Sequence, residues 1–134
     1  MPHLHFEINR KITDSEKVAL ADQVRQLFAK VMGSGTDHIG ISIRESGTYD
    51  LSIGRVAEPE RGVAILDADI RRGRTLEQRR ALAVGFVDLL QKMLNIPREH
   101  AYVTITEHKG EDFHMSERYL SDWREGEGGG KTNE

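Results

Sequence analysis

Three arginines stand within four positions in the stretch IRRGRT, residues 70–75. Arginine presents a planar fork of N–H donors that suits paired contacts with a carboxylate, and the helical pattern that follows adds the favourable dipole of a helix N-terminus. We therefore predict that Arg71, Arg72 and Arg74 serve an acidic small molecule. Neighbours on a strand face opposite sides, so we expect only one of Arg71 and Arg72 to point toward the site. The alternative is that these arginines are exposed and pair with water or with nearby acids.

Pro2 offers a second chemical group, because an initiator methionine is normally removed when proline follows it. The secondary amine that this leaves is a base only when it is neutral, and an ordinary α-amino group has a pKa of about 8. Apolar surroundings and cationic neighbours both disfavour the ammonium form and lower that pKa. A free Pro2 amine close to the arginines would therefore be a general base at neutral pH.

The elements that must position these residues follow from the hydrophobic periodicity. Helical spacing predicts one helix that starts at Thr13 with a capping box and stops at Gly33, and a second over 75–94 that ends at Asn95. Segment 46–62 is predicted to be a short ribbon or an ordered loop. Alternation of apolar residues predicts four strands, over 3–8, 38–45, 62–70 and 101–107.

The chain contains an internal duplication. A shift of 62 positions lays 8–45 over 70–107 without a gap, and matches Thr13 with Thr75. Two such β-α-β units predict an α+β, two-layer fold, in which one four-stranded mixed sheet has both helices on one face. The alternation also leaves apolar side chains on the other face, which favours an oligomer.

Composition excludes several classes of function. The formal net charge is -3, so nothing in the overall charge indicates nucleic acid or an anionic membrane as a partner. No cysteine is present, which excludes disulfides and thiolate chemistry and suits a reducing cytoplasm. No apolar run is long enough for a membrane span, and the first residues lack the pattern of a signal peptide. We expect a cytoplasmic protein that uses no cofactor.

The duplicated unit, Pro2, the GRT of 73–75 and the VTITE of 103–107 together resemble the tautomerase superfamily. The resemblance extends over about residues 2–120. It is similar to the double-unit branches, namely cis-3-chloroacrylic acid dehalogenase, malonate semialdehyde decarboxylase and 5-carboxymethyl-2-hydroxymuconate isomerase. The resemblance implies a homotrimer that acts on small carboxylic acids. We expect one domain over 1–123, made of unit one (2–45), the connection (46–62), unit two (63–107) and a C-terminal segment (108–123), with a disordered tail over 124–134.

The resemblance assigns roles residue by residue. Pro2 matches the catalytic proline, and Arg74 the arginine that binds carboxylate in most branches. Arg71 stands where the dehalogenase has its other arginine, and Arg72 where the decarboxylase has its own. Asp37 falls where the decarboxylase has an aspartate thought to act on water or on the proline, although it could equally cap a turn.

The wall of the site follows from the same resemblance. Phe113 matches an aromatic wall residue, and Met115 stands at a position that is apolar in the decarboxylase. Met115 also aligns with the water-activating glutamate of the dehalogenase, while Phe28 and Thr104 replace its histidine and its tyrosine. These departures count against hydrolytic dehalogenation.

Three functional hypotheses remain open. The first is enol-keto tautomerisation with Pro2 as base, and the second is decarboxylation or hydration of a small 3-oxo or unsaturated acid. The third is a trimeric binding module without catalytic activity. The six histidines match no compact metal-ligand motif, so we predict no metal site and take solvated or hydrogen-bonded histidines as the default.

Overall fold

The computed structural model describes residues 2–115 and 118–119. Two helices and four long strands follow the predicted order. The strands of the main sheet are β1 (His3–Ile8), β2 (Gly40–Glu45), β3 (Ala64–Arg71) and β4 (Ala101–His108), and the helices are α1 (Asp14–Met32) and α2 (Leu76–Leu94). A short antiparallel ribbon follows, made of β5 (His114–Met115) and β6 (Arg118–Tyr119). The expected tail over 124–134, and most of the segment after Met115, lie outside the described residues.

The main sheet is mixed and has the order β2-β1-β3-β4. Each helix connects two parallel strands, α1 from β1 to β2 and α2 from β3 to β4, while β1 and β3 run antiparallel at the centre. This arrangement confirms the predicted fold of duplicated β-α-β units. Segment 46–62 contains turns and one short 3₁₀ helix, Pro59–Arg61, so it is an ordered connection and not a strand ribbon.

Both helices begin with the same local structure. The Thr13 hydroxyl accepts a hydrogen bond from the Glu16 amide, and the Glu16 side chain accepts one from the Thr13 amide. Thr75 and Gln78 form the equivalent capping box at the start of α2. Gly33 and Asn95 end the two helices in the left-handed conformation, which glycine and asparagine adopt more easily than other residues. The duplication is therefore preserved in the caps.

The hydrophobic core lies between the sheet and the helices. Leu4, Phe6 and Ile8 of β1 face the helices, and the Phe6 ring meets the Phe86 ring edge to face with centroids 5.6 Å apart. Helix α1 buries Leu20, Val24, Phe28 and Met32, and α2 buries Leu82, Phe86, Leu90 and Leu94.

The opposite face of the sheet is more polar than the alternation led us to expect. Register places the following side chains there: His3, His5 and Glu7; Ser42 and Arg44; Ile65, Asp67 and Asp69; Tyr102, Thr104, Thr106 and His108. In this set, Ile65 is the only aliphatic residue and Tyr102 the only tyrosine; the others are histidine, charged residues, serine and threonine. The prediction that apolar side chains on this face favour an oligomer therefore rests on these two residues.

Within residues 2–115, neither helix is both long enough and apolar enough to cross a membrane.

Candidate active site

A cavity of about 350 Å³ lies at the start of β1. Its lining includes four residues that the sequence singled out: Pro2, Asp37, Phe113 and Met115. These residues come from three separate parts of the chain, which are the start of β1, the loop before β2 and the segment after β4. The fold therefore brings together groups that are up to 113 positions apart in the sequence.

Pro2 is buried at the edge of this cavity. Its carbonyl oxygen accepts a hydrogen bond from the Gly40 amide at 3.0 Å, which fixes the start of β1 against β2. On the other side, His3 pairs with Asp69 of antiparallel β3. Continuing that register by one residue sets Pro2 opposite Ile70, immediately before the arginine cluster.

The structure separates the three arginines. Arg71 and Arg74 are 2% and 4% exposed, whereas Arg72 is exposed. Arg71 is the last residue of β3, and Gly73 makes the turn that follows with a φ of 106°, a value that side chains rarely permit. This turn brings Arg74 back beside Arg71. Neither arginine belongs to the lining of the 350 Å³ cavity; Arg71 ends β3, which pairs with β1, and Arg74 follows after the turn.

The Arg74 guanidinium is held in an unfavourable environment for a cation. Burial, followed by the positive charge of Arg71, lowers the pKa of Arg74 to about 10. Arg74 therefore remains protonated at neutral pH, and its Nη1 donates to the Met32 carbonyl at 3.2 Å, at the end of α1. An anion bound between the two guanidinium groups would offset both effects, since it would supply opposite charge where solvent is excluded.

The equivalent place in unit one carries no such pair. Asn9 stands in the position of Arg71 and is 2% exposed. Its side-chain amide is occupied by backbone groups of the connection and of the residue after it: Nδ2 donates to the Thr48 and Pro59 carbonyls, and Oδ1 accepts from the Val63 amide. Arg10 reaches the Leu94 carbonyl at the end of α2, as Arg74 reaches Met32. The contact between an arginine and a helix end is thus common to both units, whereas the buried arginine pair is found in unit two.

Asp37 presents its carboxylate at the mouth of the cavity, with 95% of the side chain exposed. His38, whose side chain is 9% exposed, also lines the cavity, and its Nε2 lies 3.6 Å from Asp37 Oδ2. The shift of 62 positions matches His38 with His100, and these equivalent strand starts would suit a structural role for both. His100 fits that role: its Nδ1 is 2.8 Å from the Gly62 carbonyl oxygen. The position of His38 in the cavity could not be read from its spacing alone.

Comparison with known proteins identifies the architecture. Residues 65–122 match a family model described as tautomerase enzyme. A fused 4-OT, solved as an asymmetric trimer, is 18% identical and superposes with a TM-score of 0.76 over 90% of this chain and 97% of its own. The chain has the tautomerase-superfamily fold.

Two further solved tautomerase-fold proteins agree with this assignment. A member of the cis-3-chloroacrylic acid dehalogenase family is 22% identical, with a TM-score of 0.78 over 88% of this chain and 82% of its own. The macrophage migration inhibitory factor of Toxoplasma gondii is 14% identical, with a TM-score of 0.74 over 88% of this chain and 99% of its own. No curated protein matches the chain in sequence.

Two residues that replace dehalogenase side chains lie away from the cavity lining of this tautomerase fold. Phe28 is 1% exposed in the core between α1 and the sheet. Thr104 is exposed on the open face of β4. Met115, in contrast, lines the cavity and supplies an apolar surface there.

Several titratable residues near the cavity were missed as candidates. Asp112 and His114 line it together with His3. Burial lowers the pKa of His3, the neighbouring His5 lowers it further, and Asp69 opposes both. The sequence partly indicated the position of His3, because alternation places His3 and His5 on one face of β1. Within the described residues, no group of three or more histidine, aspartate or glutamate side chains is placed to hold a metal ion.

Proposed function

We propose that this protein is a tautomerase that interconverts the enol and keto forms of a small carboxylate-bearing substrate. The observation that supports it most is the position of Pro2, which is buried in the lining of a cavity that Asp37 and Phe113 also line. Pro2 directly precedes β1, and β1 pairs with β3, the strand that ends at Arg71. The match of residues 65–122 to the tautomerase family model supports the same activity.

The proposed mechanism uses Pro2 as the base. After removal of Met1, its neutral amine takes the hydroxyl proton of a 2-hydroxy-enoate and leaves an enolate. The ketone forms as the electron pair on oxygen makes the C=O bond and the C=C electrons move to the neighbouring carbon. The C=C electrons then take a proton from the Pro2 ammonium at carbon, which regenerates the base. Arg71 and Arg74 hold the carboxylate and stabilise the charge that develops on oxygen, while Phe113 and Met115 exclude water.

The test compares ketonisation of phenylenolpyruvate by the parent and by Pro2→Ala and Arg74→Ala. Loss of the positioned base should lower kcat/KM by about 100-fold or more, and loss of Arg74 by about 10-fold or more. Arg80→Ala, which removes an exposed arginine from α2, is the matched control and should retain parental activity. Full activity in both test variants would contradict the proposal.

Intact mass spectrometry of the purified protein tests the required processing. We expect a mass lower than that of the full chain by one methionine residue. Retained Met1 would leave Pro2 as an amide without basicity, and the binding-module hypothesis would then be preferred.

A decarboxylase is the second candidate, and the location of Asp37 in the Pro2 cavity favours it. If this activity is present, Asp37→Asn should abolish turnover of a small 3-oxo acid and leave ketonisation intact. Hydration is less well supported, because Met115 provides no carboxylate to activate water.

A further inference from the structure

Asp69 lies at the centre of a hydrogen-bonded group of histidines on the open face of the sheet. Its two carboxylate oxygens contact different rings: Oδ2 is 3.1 Å from His5 Nε2, and Oδ1 is 2.8 Å from His108 Nε2. Because His5 belongs to β1 and His108 to β4, Asp69 on β3 joins three adjacent strands through side chains. A carboxylate only accepts hydrogen bonds, so both histidines present an Nε2–H to it.

This group extends to the candidate site in two directions. The His108 ring meets Phe113 edge to face, with centroids 5.7 Å apart and planes at 88°. On the other side, the His5 ring lies 3.6 Å from the His3 ring, and His3 Nε2 is 2.8 Å from Ser42 Oγ. Both Phe113 and His3 line the cavity that contains Pro2. Asp69 is therefore linked to two residues of the cavity lining, each through one histidine: to Phe113 through His108, and to His3 through His5.

We propose that Asp69 is a positioning residue for the aromatic wall of the site, acting through His108 on Phe113; this inference rests on the proposed function. Hydrogen bonds to an ionised acceptor are stronger and more directional than neutral ones, so the carboxylate holds the His108 ring in one orientation. That orientation presents the ring to Phe113. The segment that carries Phe113 is short and has little other regular structure before it, only the 3₁₀ turn Gly110–Asp112. Without Asp69 the His108 ring would rotate, and Phe113 would lose its edge contact.

The kinetic test uses Asp69→Ala with Asp67→Ala as the matched control. Asp67 lies on the same face of the same strand and is exposed, and within residues 2–115 it has no hydrogen bond or ion pair to His5 or His108. A wall contact is made in both ground and transition states, so we expect Asp69→Ala to raise KM by about tenfold and to change kcat by less than about twofold. Asp67→Ala should alter neither.

A double variant separates positioning of Phe113 from a general structural role. In a Phe113→Ala background, the additional Asp69→Ala change should raise KM by less than about twofold, because the residue through which Asp69 acts has been removed. An undiminished effect in that background would show that Asp69 acts elsewhere, for example on Arg71, which pairs with His108 in the strand register. That result would overturn the proposal.

NMR provides a readout that does not depend on activity. In the parent, the His5 and His108 side-chain nitrogens should report the Nε2–H tautomer, and the Phe113 ring should give one resolved set of signals. Asp69→Ala should shift the His108 and Phe113 signals and broaden the Phe113 ring, whereas Asp67→Ala should not. If the parent lacks ketonisation activity but these shifts occur, the proposed function fails and the positioning contact stands. Unchanged Phe113 signals in Asp69→Ala would overturn the inference.

Asp69→Asn serves if the alanine variant does not fold. Its amide carries no charge, so any hydrogen bond that it keeps to His108 is weaker than that of the carboxylate, and KM should rise by a smaller factor in the same direction. A parental KM in a folded Asp69→Asn protein, together with parental Phe113 signals, would also contradict the proposal.

Discussion

At the scale of single residues, the buried arginine pair is the most informative feature of the molecule. Arg71 and Arg74 are almost completely buried, and the charge of Arg71 helps to lower the pKa of Arg74. Burial and the neighbouring charge of Arg71 both disfavour the charged form of Arg74. Such an arrangement is typical of a binding site whose ligand supplies the opposite charge.

The separation of Arg71 from Arg72 leads to a direct prediction. Arg71→Ala should raise KM for an enol-carboxylate substrate by about tenfold or more, because a buried charge-assisted contact is lost. Arg72→Ala should behave like the parent, since its side chain is exposed. Steady-state kinetics on the two variants check this, and a larger defect in Arg72→Ala would reverse the assignment.

Arg74 should lower the free energy of unfolding of the protein. The pKa of Arg74 is lower in the folded protein than in the unfolded chain, so the charged side chain lowers the free energy of unfolding by a constant amount at every pH below about 10. This cost is relieved only as the pH rises above about 10. We expect Arg74→Met to be equally stable or up to about 2 kcal/mol more stable, by an amount constant between pH 6 and pH 9, while losing activity. Urea unfolding at several pH values measures this; a strongly destabilised variant would show that the Met32 contact outweighs the charge cost.

At the scale of elements, the two β-α-β units are alike in structure and different in chemistry. Each has a threonine capping box, a left-handed residue at the helix end and an arginine that contacts the other helix. The difference is at the end of the first strand of each unit, where Asn9 is fully bonded to the connection and Arg71 lies beside Arg74. The chemistry of the site is thus predicted to belong to unit two and Pro2.

The two caps provide a matched pair of variants. Thr13→Ala and Thr75→Ala each remove a capping box, so each should lower the free energy of unfolding by about 1 kcal/mol. Only Thr75 follows the arginine cluster, so we expect a loss of ketonisation activity of about threefold or more in Thr75→Ala and none in Thr13→Ala. Urea unfolding and the ketonisation assay together test this, and equal activity in the two variants would argue against a role for the start of α2.

At the scale of the whole molecule, the open face of the sheet is a surface on which copies could associate. The face carries histidines, acids and threonines with only Ile65 and Tyr102 between them, so burial of apolar surface there would contribute less than the sequence suggested. The fused 4-OT with the same fold is a trimer. A homotrimer stays a prediction for this chain, and an interface on this face would be largely polar.

Light scattering with size-exclusion chromatography checks the assembly. We expect a mass of about 46 kDa, three times the 15.2 kDa of the chain. Because polar interfaces are sensitive to salt, the measurement should be repeated at high ionic strength. A mass of one chain at both salt concentrations would rule out the trimer under these conditions.

The sequence by itself determined the elements, their caps, the duplication and hence the fold, because each depends on local periodicity or on residues a few positions apart. It also singled out Pro2, Asp37, Phe113 and Met115, which the fold places around one cavity, although their roles remain predictions. Tertiary structure alone decided that Arg71 and Arg74 are buried and Arg72 exposed, since this depends on the turn at Gly73 and on contacts with distant residues such as Met32. It alone joined Asp69 to His5 and His108, because strand register across β1, β3 and β4 sets which side chains meet, and no local pattern encodes that register.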